Sequence, residues 1–136
     1  MVAFASPYTG TISMRIKELK PGHCSAYMSD WFMMRNPFKS IHAVALMNLG
    51  EAVGGFAVLT WAERSQYRAI VTKLEIEFLK KARGTIRGQC DLNEKLLPKA
   101  GQSGDIVLTT VLRDNADDIV AKITSHWKLS PEKKRI

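Results

Sequence analysis

The stretch NPFKSIHAVALMNLGEAVGGFAVLTWAER, residues Asn36–Arg64, decides the fold that the sequence predicts. Between Ser40 and Ala62 it contains no Lys, Arg or Asp, and its one acidic residue is Glu51. The apolar run is too long for a strand, since strands usually have roughly three to ten residues. Ser40 is a natural N-cap. We therefore predict a helix over about Ile41–Glu63, buried on most sides because it is apolar nearly all round.

Glu51 raises a question within this helix, because ionised carboxylates are rarely buried without a partner. Desolvating such a group costs on the order of several kcal/mol. Either the segment is solvated there, or Glu51 is a structural carboxylate, or it serves chemistry. A membrane-spanning helix would also have this length. However, His42, Asn48 and Glu51 lie on the run, and charge in mid-span is costly, so we expect no membrane span.

Six segments with alternating polar and apolar residues flank the helix, two before it and four after it. The predicted strands are Thr11–Leu19, His23–Asp30, Ala69–Lys80, Gly84–Leu92, Asp105–Arg113 and Asp117–Leu129. In the third strand, the pattern places Ile70, Leu74, Ile76 and Phe78 on one face. Short turns connect the segments and favour antiparallel neighbours. The order β-β-α-β-β-β-β predicts an α+β fold, in which a six-stranded antiparallel sheet wraps round a long central helix.

Length and composition indicate one globular domain over residues 1–136. A chain of 136 residues with 46% hydrophobic and 24% charged residues is ordinary for such a domain. The two cysteines, Cys24 and Cys90, form neither a CxxC motif nor a Cys/His ligand pattern. The first ten residues lack the pattern of a signal peptide. We expect a cytoplasmic protein without a structural metal.

The net charge of +7 is concentrated in two places. One is the turn Leu79–Gly88, and the other is the chain end, where residues 130–136 form a basic C-terminal tail. Such surfaces either attract an anionic partner or are simply solvated. Nucleic acid is not the expected partner, because no aromatic residues alternate with these basic residues and no DNA- or RNA-binding motif occurs.

The element order, the apolar central helix and the pattern N-x5-H-A-x7-E resemble the hotdog-fold acyl-CoA thioesterases, in particular their PaaI-like branch. The resemblance covers about Thr11–Leu129. In that family an Asn lies in the loop before the helix, a His-Gly pair opens the helix, and an acidic residue follows about two turns later. Here these positions are Asn36, His42, Ala43 and Glu51. Ala43 thus replaces the family's Gly, and Glu replaces the Asp that is commoner in this branch.

The resemblance implies hydrolysis of acyl-CoA thioesters by a homodimer or a dimer of dimers, with coenzyme A as part of the substrate and no other cofactor. The first turn of a helix presents unpaired N–H groups, so the Ala43 amide can donate to the thioester oxygen. Glu51 follows His42 by nine residues, about 13 Å along the axis. In one chain that is too far for one substrate atom to meet both. By resemblance, the site lies between two subunits that supply the helix N-terminus and the acid respectively.

The resemblance also assigns roles to the remaining candidates. Glu51 is expected to act as general base, or as a nucleophile that gives a mixed anhydride. Asn36 would hold the water or the carbonyl oxygen, and Thr72 would contribute from the other subunit. His42 is expected at the site either as a reacting group or as the residue that orients the loop. The candidates for binding the coenzyme A phosphates are Lys39, Lys80, Lys81 and Arg83.

Several alternatives stay open at this point. Glu51 can be structural, and Asn36 before Pro37 can be a turn former. A non-catalytic protein that binds acyl-CoA or acyl carrier protein would fit the same pattern. A dehydratase on the same fold fits less well, because His42 directly adjoins the helix. The segment Trp31–Met34 would line an acyl pocket or pack in the dimer.

Overall fold

The computed structural model describes residues 7–132, which form one six-stranded antiparallel sheet packed against a long helix. The strands are β1 (Arg15–Lys20), β2 (His23–Met28), β3 (Tyr67–Phe78), β4 (Ile86–Asp91), β5 (Gly104–Arg113) and β6 (Ile119–Pro131). The helices are α1 (Pro7–Gly10) and α2 (Ala43–Ser65), with 3-10 turns at Phe32–Met34 and Glu94–Leu96. The strand order is β1-β2-β4-β5-β6-β3. The predicted α+β architecture and element order are confirmed.

The helix α2 contacts every strand of the sheet. Its length and mean hydropathy of 1.5 match those of a membrane span, but 61% of its most apolar segment is buried inside the domain. Its small residues set the distance to the sheet: Gly50 faces Ile123, Gly54 faces Thr110, and Gly55 faces Trp127. The apolar character of α2 is therefore explained by its position in the core of the domain.

The predicted N-cap of this helix is wrong. The N-cap is His42, whose Nδ1 accepts a hydrogen bond from the Val44 amide at 3.1 Å. Ser40 instead donates through its hydroxyl to Oδ1 of Asn36 at 3.1 Å, so its side chain is used within the preceding loop. At the other end the last helical residue is Ser65, two residues beyond the predicted boundary, and Gln66 after it adopts a left-handed conformation with φ 59°.

Strand β3 contains an irregularity that changes the predicted faces. Val71 pairs with Trp127 and Lys73 pairs with His126, so Thr72 is an extra residue in β3. Such a bulge shifts the alternation of side chains by one position. Ile70 therefore lies on the outer face and is 64% exposed. The other three residues predicted for that face do pair with residues of β6 that face α2; they are Leu74, Ile76 and Phe78.

The ends of the sheet also differ from the prediction. Strand β1 begins at Arg15, because Thr11–Ser13 form a turn. Strand β6 continues through Ser130 and Pro131, which the sequence placed in the basic tail. The rest of that tail, residues 133–136, lies outside the described residues.

Candidate functional site

The loop before the helix is organised by the side chain of Asn36. Its Oδ1 accepts from the Phe38 amide at 2.9 Å, from the Ser40 amide at 3.2 Å and from the Ser40 hydroxyl. Lys39 between them takes a left-handed conformation with φ 60°. Asn36 thus acts as a turn former through its oxygen. Only its NH₂ group is left to contact a substrate or a water molecule.

The N-terminus of α2 presents backbone donors. The amide of His42 donates to the Met34 carbonyl at 2.7 Å, and the first intrahelical bond runs from the Leu46 amide to the His42 carbonyl. Of the first helical amides, that of Val44 donates to the His42 ring, whereas those of Ala43 and Ala45 have no acceptor among residues 7–132. Since Nδ1 of His42 accepts this bond, Nε2 carries the proton of the neutral ring.

An open groove of about 340 Å³ adjoins this helix N-terminus. Apolar side chains and a few polar groups line it, among them Met33, Met34, Arg35, His42, Val44 and Asn48. This mixture is typical of a site for a largely apolar ligand that is oriented by a few polar contacts. The predicted acyl-pocket segment thus contributes two methionines to the groove.

Glu51 lies farther along the helix and is half-buried. A β-carbon on Gly55 would lie 3.7 Å from both Oε1 of Glu51 and the Trp127 ring, so Glu51 is on the flank of α2 near β6. Within residues 7–132 no group donates a hydrogen bond to this carboxylate, and burial raises its pKa. Along the axis it is about 12 Å from Ala43, so one chain does not bring the two together.

Thr72, the extra residue of the β3 bulge, lies on the exposed edge strand. Its Oγ1 donates to the His126 carbonyl at 3.2 Å. This hydroxyl therefore closes the gap that the bulge leaves in the ladder between β3 and β6. Its proposed role toward a substrate in the other subunit stays a prediction.

Lys80 differs from the other predicted phosphate-binding residues because it forms two ion pairs. Its Nζ lies 2.6 Å from Oδ2 of Asp114 and 2.7 Å from Oδ2 of Asp118. The hydrogen bonds that Lys80 donates to Asp114 and Asp118 raise its pKa. Lys80 therefore stabilises the turn between β5 and β6, and the carboxylates of Asp114 and Asp118 balance its charge.

Lys39, Lys81 and Arg83 come together beside the loop before α2. The Nε of Arg83 donates to the Lys39 carbonyl at 3.4 Å, and Nζ of Lys81 lies 6.0 Å from the centroid of the Phe38 ring. The Ile41 amide donates to the Ala82 carbonyl at 2.8 Å and joins the two segments. The aromatic ring in this cluster was not predicted, because Phe38 is far from Lys81 in sequence.

Asp30 is a further residue that sequence reasoning missed. Its Oδ1 accepts from Nε of Arg35 at 2.7 Å, and its Oδ2 accepts from the Gly84 amide at 3.0 Å. Burial raises the pKa of this carboxyl, but the bonds from Arg35 and Gly84 outweigh that effect and hold the pKa below its usual value. Asp30 thereby fixes the Trp31–Met34 segment against the turn that carries Arg83.

Solved structures with the same fold are known. PA5026 from Pseudomonas aeruginosa, described as a probable thioesterase of unknown function, is 24% identical over 95% of this chain and 90% of its own, with a TM-score of 0.85. The Escherichia coli PaaI protein of the phenylacetic acid degradation operon is 16% identical over 93% and 86%, with a TM-score of 0.77. A point mutant of the thioesterase SAV0944 from Staphylococcus aureus is 13% identical over 93% and 100%, with a TM-score of 0.78.

The fold is therefore the hotdog fold that these structures share, as the sequence predicted. The particular family is the one described as Domain of unknown function (DUF4442), to which the chain belongs, because the family model matches residues 1–129. No curated protein matches the chain.

Proposed function

We propose that this protein is an acyl-CoA thioesterase that hydrolyses its substrate to a free acid and coenzyme A. The observation that carries the proposal is the state of Glu51, a half-buried carboxylate with a raised pKa and no donor among residues 7–132. A general base is most effective when its pKa approaches the working pH. Fold relatives described as thioesterases support the same reaction class.

In the proposed reaction, Glu51 takes a proton from a water molecule, whose oxygen attacks the thioester carbonyl carbon. Negative charge then develops on the carbonyl oxygen, which accepts a hydrogen bond from the Ala43 amide at the positive end of the helix dipole. The carbon–sulfur bond breaks, and the proton held by Glu51 passes to the leaving thiolate. In the alternative, the Glu51 carboxylate attacks the carbonyl carbon, the carbon–sulfur bond breaks with loss of the coenzyme A thiolate, and water then hydrolyses the mixed anhydride to release the acid and regenerate Glu51.

The separation between Ala43 and Glu51 makes a second copy of the chain necessary for this reaction. Strand β3 has 12 residues, and no strand of residues 7–132 pairs with its outer edge. Leu74 and Phe78 on its helix-facing side are 36% and 50% exposed. A long edge strand with exposed apolar side chains pairs readily with another chain. We place the homodimer interface at β3, and a dimer of dimers extends the same scheme.

The other edge of the sheet is unsuited to this role. Strand β1 has only six residues and four of them are charged, whereas β3 has 12 residues of which four are charged. Short and mainly charged edges resist pairing. The contrast between the two edges supports a dimer formed through β3.

A cytoplasmic location accompanies the proposed function. Cys24 and Cys90 lie directly opposite each other in the ladder between β2 and β4, and both are free and buried. Free thiols in this arrangement fit a reducing compartment.

The test is release of free coenzyme A from a panel of short, long and aromatic acyl-CoAs. The wild type should turn over at least one of them, and Glu51→Gln should lose activity by orders of magnitude. Glu63→Gln, an exposed carboxylate on the same helix, is the matched control and should retain it. Equal activity in Glu51→Gln would make this carboxylate structural.

A second outcome would favour the non-catalytic alternative. Two observations support that alternative, namely Ala43 in place of the family's Gly and the commitment of the Asn36 oxygen to its own loop. Binding of an acyl-CoA by equilibrium titration, with no turnover of any member of the panel, would identify an acyl-CoA binding protein instead.

A further inference from the structure

The face of the sheet that points away from α2 carries a row of basic residues across four strands. Arg15 of β1 lies opposite Tyr27 of β2, Tyr27 lies opposite Arg87 of β4, and Arg87 lies opposite Arg113 of β5. Their neighbours along each strand are buried or half-buried, so these four side chains point to the solvent. We call this set the arginine row.

Two members of the arginine row repel each other. Arg87 and Arg113 are directly opposite in the ladder, and like charges in that position destabilise a sheet. Both are fixed by Asp117 in the turn after β5, which accepts from Nη2 of Arg87 through Oδ1 at 2.9 Å and from Nη1 of Arg113 through its carbonyl at 2.9 Å. Asp117 itself has φ 64°, a conformation that is uncommon for residues other than glycine. One carboxylate therefore orients two guanidinium groups.

The arginine row keeps an excess of positive charge. The side chain of Arg15 has no hydrogen bond or ion pair among residues 7–132, and Arg113 bonds to a carbonyl rather than to a carboxylate. On β4 and β5 the acidic residues of this face, Asp91 and Asp105, lie at the opposite ends of the strands. Three guanidinium groups thus share the Asp117 carboxylate at one end of the face.

We infer that the arginine row is a docking surface for an acidic helical segment of a partner protein, whose carboxylates pair with the guanidinium groups. Neighbouring strands are about 4.8 Å apart, which places Arg87 about 10 Å and Arg113 about 14 Å from Arg15. Residues i, i+7 and i+10 of a helix are separated by nearly the same distances, about 10 and 15 Å along its axis. Arginine binds carboxylates through two parallel hydrogen bonds.

Other anionic partners fit this surface less well. A nucleic acid carries charge continuously along its backbone, and a strand lying along β4 or β5 would pass over Asp91 or Asp105. A lipid bilayer requires apolar anchoring side chains, and the arginine row offers only the half-buried Tyr27. The row lies on the opposite side of the sheet from α2, so docking there is independent of the proposed reaction.

The test uses a capped, alanine-based helical peptide with glutamates at positions i, i+7 and i+10, and the same peptide with glutamines instead. In fluorescence anisotropy at low ionic strength, the wild type should bind the glutamate peptide more tightly, and added salt should weaken that binding. Arg15→Gln and Arg113→Gln should each weaken it by about two-fold to five-fold. Arg68→Gln removes an exposed arginine near the other end of the sheet, on β3, and should bind as the wild type does.

Asp117→Asn gives a result of opposite sign. It removes the carboxylate that competes for Arg87, and it should bind the glutamate peptide about two-fold more tightly. Equal binding of the two peptides, or unchanged binding in both arginine variants, would overturn the inference. Tighter binding of a DNA duplex through the same arginines would assign the surface to nucleic acid instead. A change in oligomer size in Arg15→Gln would assign it to a contact between copies of this chain. Release of coenzyme A should be the same in Arg15→Gln as in the wild type.

Discussion

Gly50 on α2 lies so close to Ile123 on β6 that a β-carbon at Gly50 would overlap Cδ1 and Cγ1 of Ile123 and lie 3.1 Å from its Cβ. Ile123 is fully buried in the core and faces the helix. An added methyl group therefore cannot be accommodated by rotating the tip of one side chain, and the helix or the strand must move. Gly55 on the same helix differs, since a β-carbon there meets its neighbours at 3.7 Å.

We expect Gly50→Ala to lower the free energy of unfolding by about 1–3 kcal/mol, as overpacking of a core usually does. Gly55→Ala is the matched control, because it adds the same methyl group at ordinary contact distance. It should be neutral or stabilise the protein by up to about 1 kcal/mol through helix propensity. Chemical denaturation of both variants measures the difference. Equal effects would mean that close approach at Gly50 does not limit the packing of α2.

Protonation of Glu51 should make the folded protein more stable as the pH falls. Burial raises its folded-state pKa above the ordinary value of 4.5, so between these two values the folded state binds more protons than the unfolded state. Stability therefore rises as pH falls through the folded pKa toward 4.5. Glu51→Gln, which removes the charge, should melt at a higher temperature than the wild type at pH 8. The gap should narrow toward pH 5, and a gap independent of pH would contradict the raised pKa.

The β3 edge should control the oligomeric state. Leu74→Lys or Phe78→Lys places a charge on the helix-facing side of that strand, where pairing with a second copy would bury it. Either variant should elute as a monomer in light-scattering chromatography and lose thioesterase activity, because Ala43 and Glu51 of one chain are too far apart. Val107→Lys on β5, which is 48% exposed, is the control. A dimer that survives both changes would move the interface away from β3.

Asp30 should hold two segments together through its carboxylate. Asp30→Asn can keep one acceptor but not both, so either the Arg35 bond or the Gly84 bond is lost. We expect a loss of about 1–2 kcal/mol of stability and faster amide hydrogen exchange at Gly84. Asp105→Asn, an exposed residue on β5, should change neither. Unchanged exchange at Gly84 in Asp30→Asn would show that its amide is protected by other means.

The regular part of the fold was predictable from periodicity. The alternation of polar and apolar residues indicated six strands, and the apolar run indicated α2 to within two residues at each end. The side-chain faces of β3 were not predictable, because the bulge at Thr72 is a property of its pairing with β6. Nothing in the local pattern of β3 marks where its register with another strand slips.

The site was predictable only as a set of residue types. The Asn36 and His42 positions were found, but their contacts were not: Asn36 takes the Ser40 hydroxyl as a donor, and His42 takes the capping role that Ser40 was assigned. The partners of Lys80, Phe38 and Asp30 are distant in sequence, and sheet register and turn contacts bring them together. A single sequence contains no local signal for such pairs.

The hydrogen bonds that Gly84 donates to Asp30 and that Ile41 donates to Ala82 have a consequence for recombining this domain with its relatives. Residues 30–41 and 80–84 behave as one exchangeable block, although a helix and a strand separate them in the chain. A chimaera that imports the helix-leading loop alone would set the Asp30 carboxylate and the Ile41 amide against a turn of different sequence and conformation. Transplanting both segments together keeps each donor beside its acceptor.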